Sequence, residues 1–202
     1  MIDESESGDS IKVILLGESG VGKTNLINIS QGKPFNPNSV SSISSSYSQA
    51  TMTYKDKEYE YVLWDTAGQE SYRSLNQLFM KNAKVVIFVY SIDNKNSFEE
   101  LSYWVEAAQN EVEGFCVKGI VGNKSDLFDK QKVKDEEAEE FAAKVGIKIK
   151  FTSALSDPNS FISFLKELII DYINKDSGVN DPDKQMTKNL TLGSKKSKKK
   201  KC

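Results

Sequence analysis

Histidine is absent from this 202-residue chain. Its absence rules out a histidine general base, a Cys–His couple and histidine-ligated metal, so any chemistry must come from other groups. Cysteine is scarce: Cys116 lies in the apolar stretch Phe115–Val121 and Cys202 follows a run of lysines. Two such residues suggest no disulfide framework and agree with a reducing compartment. Arginine occurs once, as Arg73. No apolar run approaches the roughly 20 residues that span a bilayer. The opening residues Met1-Ile2-Asp3-Glu4-Ser5-Glu6 are acidic where a signal peptide is basic. A soluble, cytoplasmic chain is expected.

With 38% hydrophobic residues, the length fits one compact α/β domain with an adequate core. Net charge is −2, yet six lysines crowd into Lys195–Lys201, so the rest of the chain is acidic and the tail strongly basic. From about Ser177, Gly, Asn, Asp, Pro and Ser dominate, as in a flexible linker. The expected division is a disordered N-terminus over 1–9, a domain over 10–176, and a flexible tail over 177–202.

Continuous apolar runs predict buried strands near Ile11–Gly17, Ser48–Tyr54, Glu58–Asp65, Lys84–Ser91, Val117–Asn123 and Ile147–Ser153. Helical patterns fall between them, at about Gly22–Ser30, Ser74–Met80, Asn96–Val112, Lys134–Val145 and Asn159–Asn174. Ser97, with Glu100 three residues on, has the spacing of a capping box. Lys55-Asp56-Lys57 is short enough to join its flanking strands as an antiparallel hairpin. Gln31–Ser48 has no periodicity, and a loop that long is usually functional or disordered. The expected fold is α/β: a six-stranded, mostly parallel sheet with one antiparallel edge strand and helices on both faces.

Four segments at predicted strand ends carry chemistry. Gly17-Glu18-Ser19-Gly20-Val21-Gly22-Lys23-Thr24 matches the phosphate-binding pattern G-x-x-x-x-G-K-[ST] and lies between a strand and a helix. Its glycines turn the backbone so that successive N–H groups and the helix N-terminus form one anion site. Lys23 would reach the β- and γ-phosphates and Thr24 would ligate Mg²⁺, which makes Glu18–Asn25 the phosphate-binding segment. Trp64-Asp65-Thr66-Ala67-Gly68-Gln69-Glu70 ends another strand. There Asp65 would hold Mg²⁺ through water, the Gly68 N–H would approach a γ-phosphate, and Gln69 would orient an attacking water. Asn123-Lys124-Ser125-Asp126 follows a third run; the Asp126 carboxylate can accept the two N–H groups of a guanine edge, which adenine cannot supply. Ser153-Ala154-Leu155 could offer a backbone N–H to the guanine O6.

In this order the motifs make the chain resemble the Ras superfamily of small GTPases, P-loop NTPases, and most of all its Rab branch, from about Ser10 to Asn174. Rab-like details are the full Trp64–Glu70 segment, Ser19, and the aromatics Tyr47, Trp64 and Phe79. The resemblance implies that these three aromatics form a partner-reading patch; a plain core role for Trp64 is the alternative. It also implies GTP/GDP as ligand, Mg²⁺ as cofactor, slow intrinsic hydrolysis, and a switch role in vesicle trafficking. Implied partners are a GTPase-activating protein, an exchange factor, effectors, and a GDP-dissociation inhibitor or escort protein. Aligned through Phe35 and Ile43, Ser42 stands where Rab proteins place a Mg²⁺-binding threonine. Ser44 replaces the following glycine, and Leu155 replaces a lysine. The lysine run before Cys202 resembles a lipidated cysteine beside a polybasic patch, implying an anionic endomembrane surface rather than nucleic acid as partner. A solvated basic tail, and a hydrolysis-defective guanine-nucleotide-binding adaptor, remain the other readings.

Overall fold

The computed structural model describes residues 10–37, 46–66 and 79–179. Six strands form one sheet in the order β2-β3-β1-β4-β5-β6. They are β1 (Ile11–Leu16), β2 (Ser46–Tyr54), β3 (Lys57–Asp65), β4 (Val85–Ser91), β5 (Val117–Asn123) and β6 (Lys148–Phe151). Only the β2–β3 pair is antiparallel, and β2 is an edge. The sheet therefore has the expected form. Around it lie α1 (Lys23–Ser30), α2 (Lys95–Glu99), α3 (Leu101–Glu111), α4 (Asp135–Val145) and α5 (Pro158–Val179), with a 3₁₀ turn over Ser125–Lys130.

The continuous apolar runs have a simple cause: alternate residues of a strand face opposite sides, and both sides are covered. Val13, Leu15, Val85, Ile87 and Val89 pack with α1 and with Phe161, Leu165, Leu168 and Ile169 of α5. Ile14, Leu16, Val86, Phe88 and Tyr90 pack against Phe98, Leu101, Trp104 and Ala108, and against Ala138 and Ala142 of α4. Strand order reverses beside β1, which has β3 on one side and β4 on the other. A doubly wound sheet opens its ligand crevice at such a point, beyond the C-terminal strand ends.

Several boundaries differ from expectation. The helix predicted over Asn96–Val112 is two, meeting at Glu100, and Ser97 is not its cap. Asn94 is: it lies in the extended region, and its side chain accepts the Ser97 N–H at 3.3 Å. Ser97 is instead fully buried; its hydroxyl donates to the Asn94 carbonyl and accepts the Ser91 N–H, pinning α2 to the end of β4. An amide oxygen three residues upstream occupies the donor that a capping box would have used, and Glu100 caps nothing with its side chain. β2 begins at Ser46 because its backbone pairs with β3 up to Asp65, a contact to which serines give no propensity signal. β6 is shorter than expected, since past Phe151 the chain turns into the Ser153–Asp157 bridge. α5 continues to Val179, past the expected end at Asn174, because polar residues readily extend a helix already formed. The hairpin turn is just Lys55–Asp56, both left-handed (φ 51° and 58°) as a two-residue turn between twisted strands requires. Most of the predicted Ser74–Met80 helix lies outside the described residues.

Candidate nucleotide site

The C-terminal ends of β1, β3 and β5 bring the first three motifs to one edge of the sheet. The loop after β1 crosses so close to β4 that a Cβ at Gly17 would lie 2.0 Å from the Val89 carbonyl oxygen. Gly22 has φ 98°, and a Cβ there would meet the Asn123 amide at 2.4 Å. These positions need glycine for conformation and for space. Gly22 also begins α1, whose first turn has neither a side-chain cap nor an acidic residue. The positive helix end and its N–H groups thus face the concavity formed by Glu18, Ser19, Gly20 and Val21.

Lys23 is 5% exposed and folds back over this loop, donating to the Gly17 carbonyl at 2.8 Å and the Glu18 carbonyl at 2.9 Å. Burial draws its ammonium down to about 8, while Asp65 and Glu18 act to raise it. Thr24 donates its hydroxyl to Asp65 Oδ2 at 2.7 Å, joining α1 to the end of β3 across 41 positions. One hydroxyl and one carboxylate are the hard oxygen donors that Mg²⁺ takes. Among the described residues no cluster of three or more His, Cys, Asp or Glu could hold a metal. This small donor set fits an ion that completes its shell with phosphate oxygens and water. Thr66 donates to the Leu15 carbonyl at 2.6 Å, locking β3 to β1 beside the site.

At the other end, Asn123 serves as a staple. Its Nδ2 donates to the Val21 carbonyl at 2.8 Å, and its Oδ1 accepts the Ala154 N–H at 3.3 Å, so one side chain ties the phosphate loop, β5 and the turn after β6. Lys124 is left-handed (φ 64°), and its ammonium lies 3.9 Å from Asp93. The Ser153 hydroxyl donates to Asp126 and accepts the N–H groups of Leu155 and Ser156 at 3.1 and 3.0 Å. Asp126 is thereby aimed by a buried serine held in turn by two backbone amides. The Leu155 side chain is 58% exposed.

Tyr47, Trp64 and Phe79 stand in a row, with ring centroids 5.4 Å and 5.5 Å apart. Tyr47 is 64% exposed, whereas Trp64 also packs on the buried cluster beneath, so it belongs to surface and core at once. Ser42, Gly68, Gln69 and Cys202 lie outside the described residues.

Sequence reasoning missed four contributors. Asp93, held by the Ser91 hydroxyl, faces Lys124; its place just past β4 was the available clue. Lys12 lies 4.9 Å from the Trp64 ring centroid and donates to the Lys81 carbonyl at 2.9 Å. Thr66 and Asn36 act through contacts 51 and 11 positions away, which no local pattern announces.

Residues 12–170 match the family model described as the Ras family. The chain is 32% identical over 195 residues to the GTP-binding protein ypt3 of Schizosaccharomyces pombe, covering 95% of this chain and 91% of that protein. It is 33% identical over 174 residues to the Ras-related protein RABA4b of Arabidopsis thaliana, covering 85% and 78%. With the Ras-related protein Rab-8A of Gallus gallus it shares 34% over 160 residues, covering 78% and 77%.

Proposed function

The chain belongs to the Ras family as a Rab-like small GTPase of vesicle trafficking, and from that premise we propose how its own residues bind GTP, hydrolyse it and report the result. The domain spans 10–176, with 177–202 as a membrane-directed tail. One observation carries the reading. The phosphate loop, the Thr24–Asp65 pair and the Asp126–Ser153 pair share one edge of the sheet, joined by Asn123.

The backbone of Glu18–Asn25 cradles the phosphates, and Lys23 leaves the Gly17 and Glu18 carbonyls for the β- and γ-oxygens. That exchange returns a buried ammonium to a counter-charge, which favours its protonated form. Thr24, Asp65 and Ser42 hold Mg²⁺, whose charge offsets that developing on the phosphates. Asp126 reads the guanine edge, with Asn123 and Lys124 shaping the loop, while Ser153, Ala154 and Leu155 close the turn around the base. An adenine there would leave the carboxylate unpaired, a penalty large enough to separate the bases by orders of magnitude. Gln69 orients the attacking water and the Gly68 N–H senses the γ-phosphate. Positioning and charge stabilisation supply the catalysis, so the chain alone is slow and takes its arginine from a GTPase-activating protein.

The output is a two-state switch. In the GTP state Tyr47, Trp64 and Phe79 form the effector surface. An exchange factor restores GTP, and a GDP-dissociation inhibitor or escort protein carries the lipidated chain between membranes. Lipid on Cys202 beside the lysine run supplies the two signals that stable anchoring needs. The chain then sits on the cytosolic face of an endomembrane.

Single-turnover release of phosphate from γ-labelled GTP, with Mg²⁺ and excess ATP, is the test. Release slower than about 10⁻² s⁻¹, insensitive to ATP and abolished by Gln69→Leu, is expected. Tight GTP binding without any release would replace the hydrolytic switch by a guanine-nucleotide-binding adaptor.

A further inference from the structure

The Asn25 side chain is 6% exposed, and both of its polar groups meet the Asn36 backbone. Nδ2 donates to the Asn36 carbonyl at 3.1 Å, and Oδ1 accepts the Asn36 N–H at 3.0 Å. The pairing copies the two-bond exchange of facing β residues, with a side chain standing in for one backbone. Asn25 lies in the first turn of α1, directly after Thr24. Asn36 closes the segment that leaves this helix and precedes Pro37, whose ring fixes φ. Between them the N–H groups of Gln31, Gly32 and Lys33 bond back to the Asn28 and Ile29 carbonyls, and Phe35 packs on the core. The segment is thus strapped to α1 at both ends.

Side chains of the first turn differ in what a bound nucleotide does to them. Lys23, now bonded to the Gly17 and Glu18 carbonyls, would take phosphate oxygens instead, and Thr24, now bonded to Asp65, would help hold a metal. The Asn25 pairing competes with neither ligand. We propose that Asn25 is a positioning residue whose paired bonds to the Asn36 backbone hold the first turn of α1 in its phosphate-binding geometry and so slow the release of guanine nucleotide. The inference rests on the nucleotide-site reading above. On this proposal Asn25 acts through its bonds to the Asn36 backbone rather than through contact with the nucleotide.

Release of fluorescently labelled GDP from the full chain, chased with unlabelled GDP, reads the effect. Asn25→Ala should release GDP about tenfold faster, as expected for two part-buried hydrogen bonds lost. Asn36→Ala should leave the rate unchanged, because the clamp uses only the backbone of that residue. Ile173→Val, a core truncation in α5 away from the site, should also leave it unchanged. Folded Asn25→Ala with a wild-type rate overturns the proposal. So does an equal acceleration in Ile173→Val, which would mean generic loosening. If Asn25→Ala does not fold, hydrogen exchange of the wild type decides: the N–H of the exposed Asn36 should exchange at least about 100-fold more slowly than a free amide. Exchange at the free rate overturns the clamp. A wild-type chain that takes up no guanine nucleotide overturns the nucleotide reading instead, and the clamp falls with it.

Discussion

Tyr90 carries a hydroxyl that is fully buried and, among the described residues, meets no hydrogen-bond partner. Burial, reinforced by Asp135 and Glu137, raises the phenol far above its ordinary range, so it stays neutral at any working pH. A desolvated hydroxyl without a partner is a net penalty, and its ring already packs edge-on against Phe98 at 5.1 Å. Tyr90→Phe should therefore raise stability by about 1 kcal/mol, read as a higher urea midpoint at unchanged m-value. Lower stability would reveal a partner for the hydroxyl in solution. Cys116 is half-buried, and burial likewise raises its thiol, with Lys118 acting weakly the other way. Because the folded value lies above the unfolded one, this group's stabilisation is complete below the unfolded pKa and is lost as pH rises through the folded value. At pH 8.5, iodoacetamide should modify Cys116 at least about tenfold more slowly in the folded chain than in denaturant.

At the scale of elements, the join between β4 and α2 is set by two side chains. Asn94 caps the helix, while Ser97 binds the carbonyl of Asn94 and the amide of Ser91 from a fully buried position. Asn94→Ala should lose about 1 kcal/mol by thermal unfolding, the usual worth of an N-cap. Ser97→Ala should lose more, since it strands the buried N–H of Ser91. The reverse order would restore Ser97 as the cap. The same strand end leads to Asp93 and hence to Lys124, so the element that caps α2 also supports the base-reading loop. By contrast, the exposed pairs of Lys148 with Glu167 and Asp171 tie β6 to α5 across solvent, where ion pairs contribute little.

For the whole molecule the dominant asymmetry is charge: an acidic body ahead of six lysines and Cys202. No helix among the described residues is long and apolar enough to cross a membrane. The proposed reading assigns attachment to lipid and lysines together. Each lysine near an anionic surface contributes about 1 kcal/mol. In cells, Cys202→Ser should move the chain from the membrane fraction to the supernatant. Replacing the lysines of Lys195–Lys201 by glutamine should weaken attachment while leaving GTP hydrolysis untouched. Membrane partitioning that survives Cys202→Ser would remove lipidation from the scheme.

Sequence alone determined the sheet, its mostly parallel character and the strand-end motifs. Each depends on short-range facts: runs of Val, Ile and Leu long enough for one strand, glycines where the backbone must turn, and charged or polar residues just past an apolar run. Tertiary structure decided what those residues touch. Asn123 becomes a staple only when β5 lies beside the phosphate loop, and Asp126 is aimed only when the turn after β6 brings Ser153 to it. Asn25 is bound by Asn36, and Asn94 takes the cap from Ser97, because hydrogen bonds are won by geometry among competing donors and acceptors. Periodicity reports which side of an element faces inward. It carries no information about which of several polar groups, brought from 3 to 102 positions away, will be within hydrogen-bonding distance.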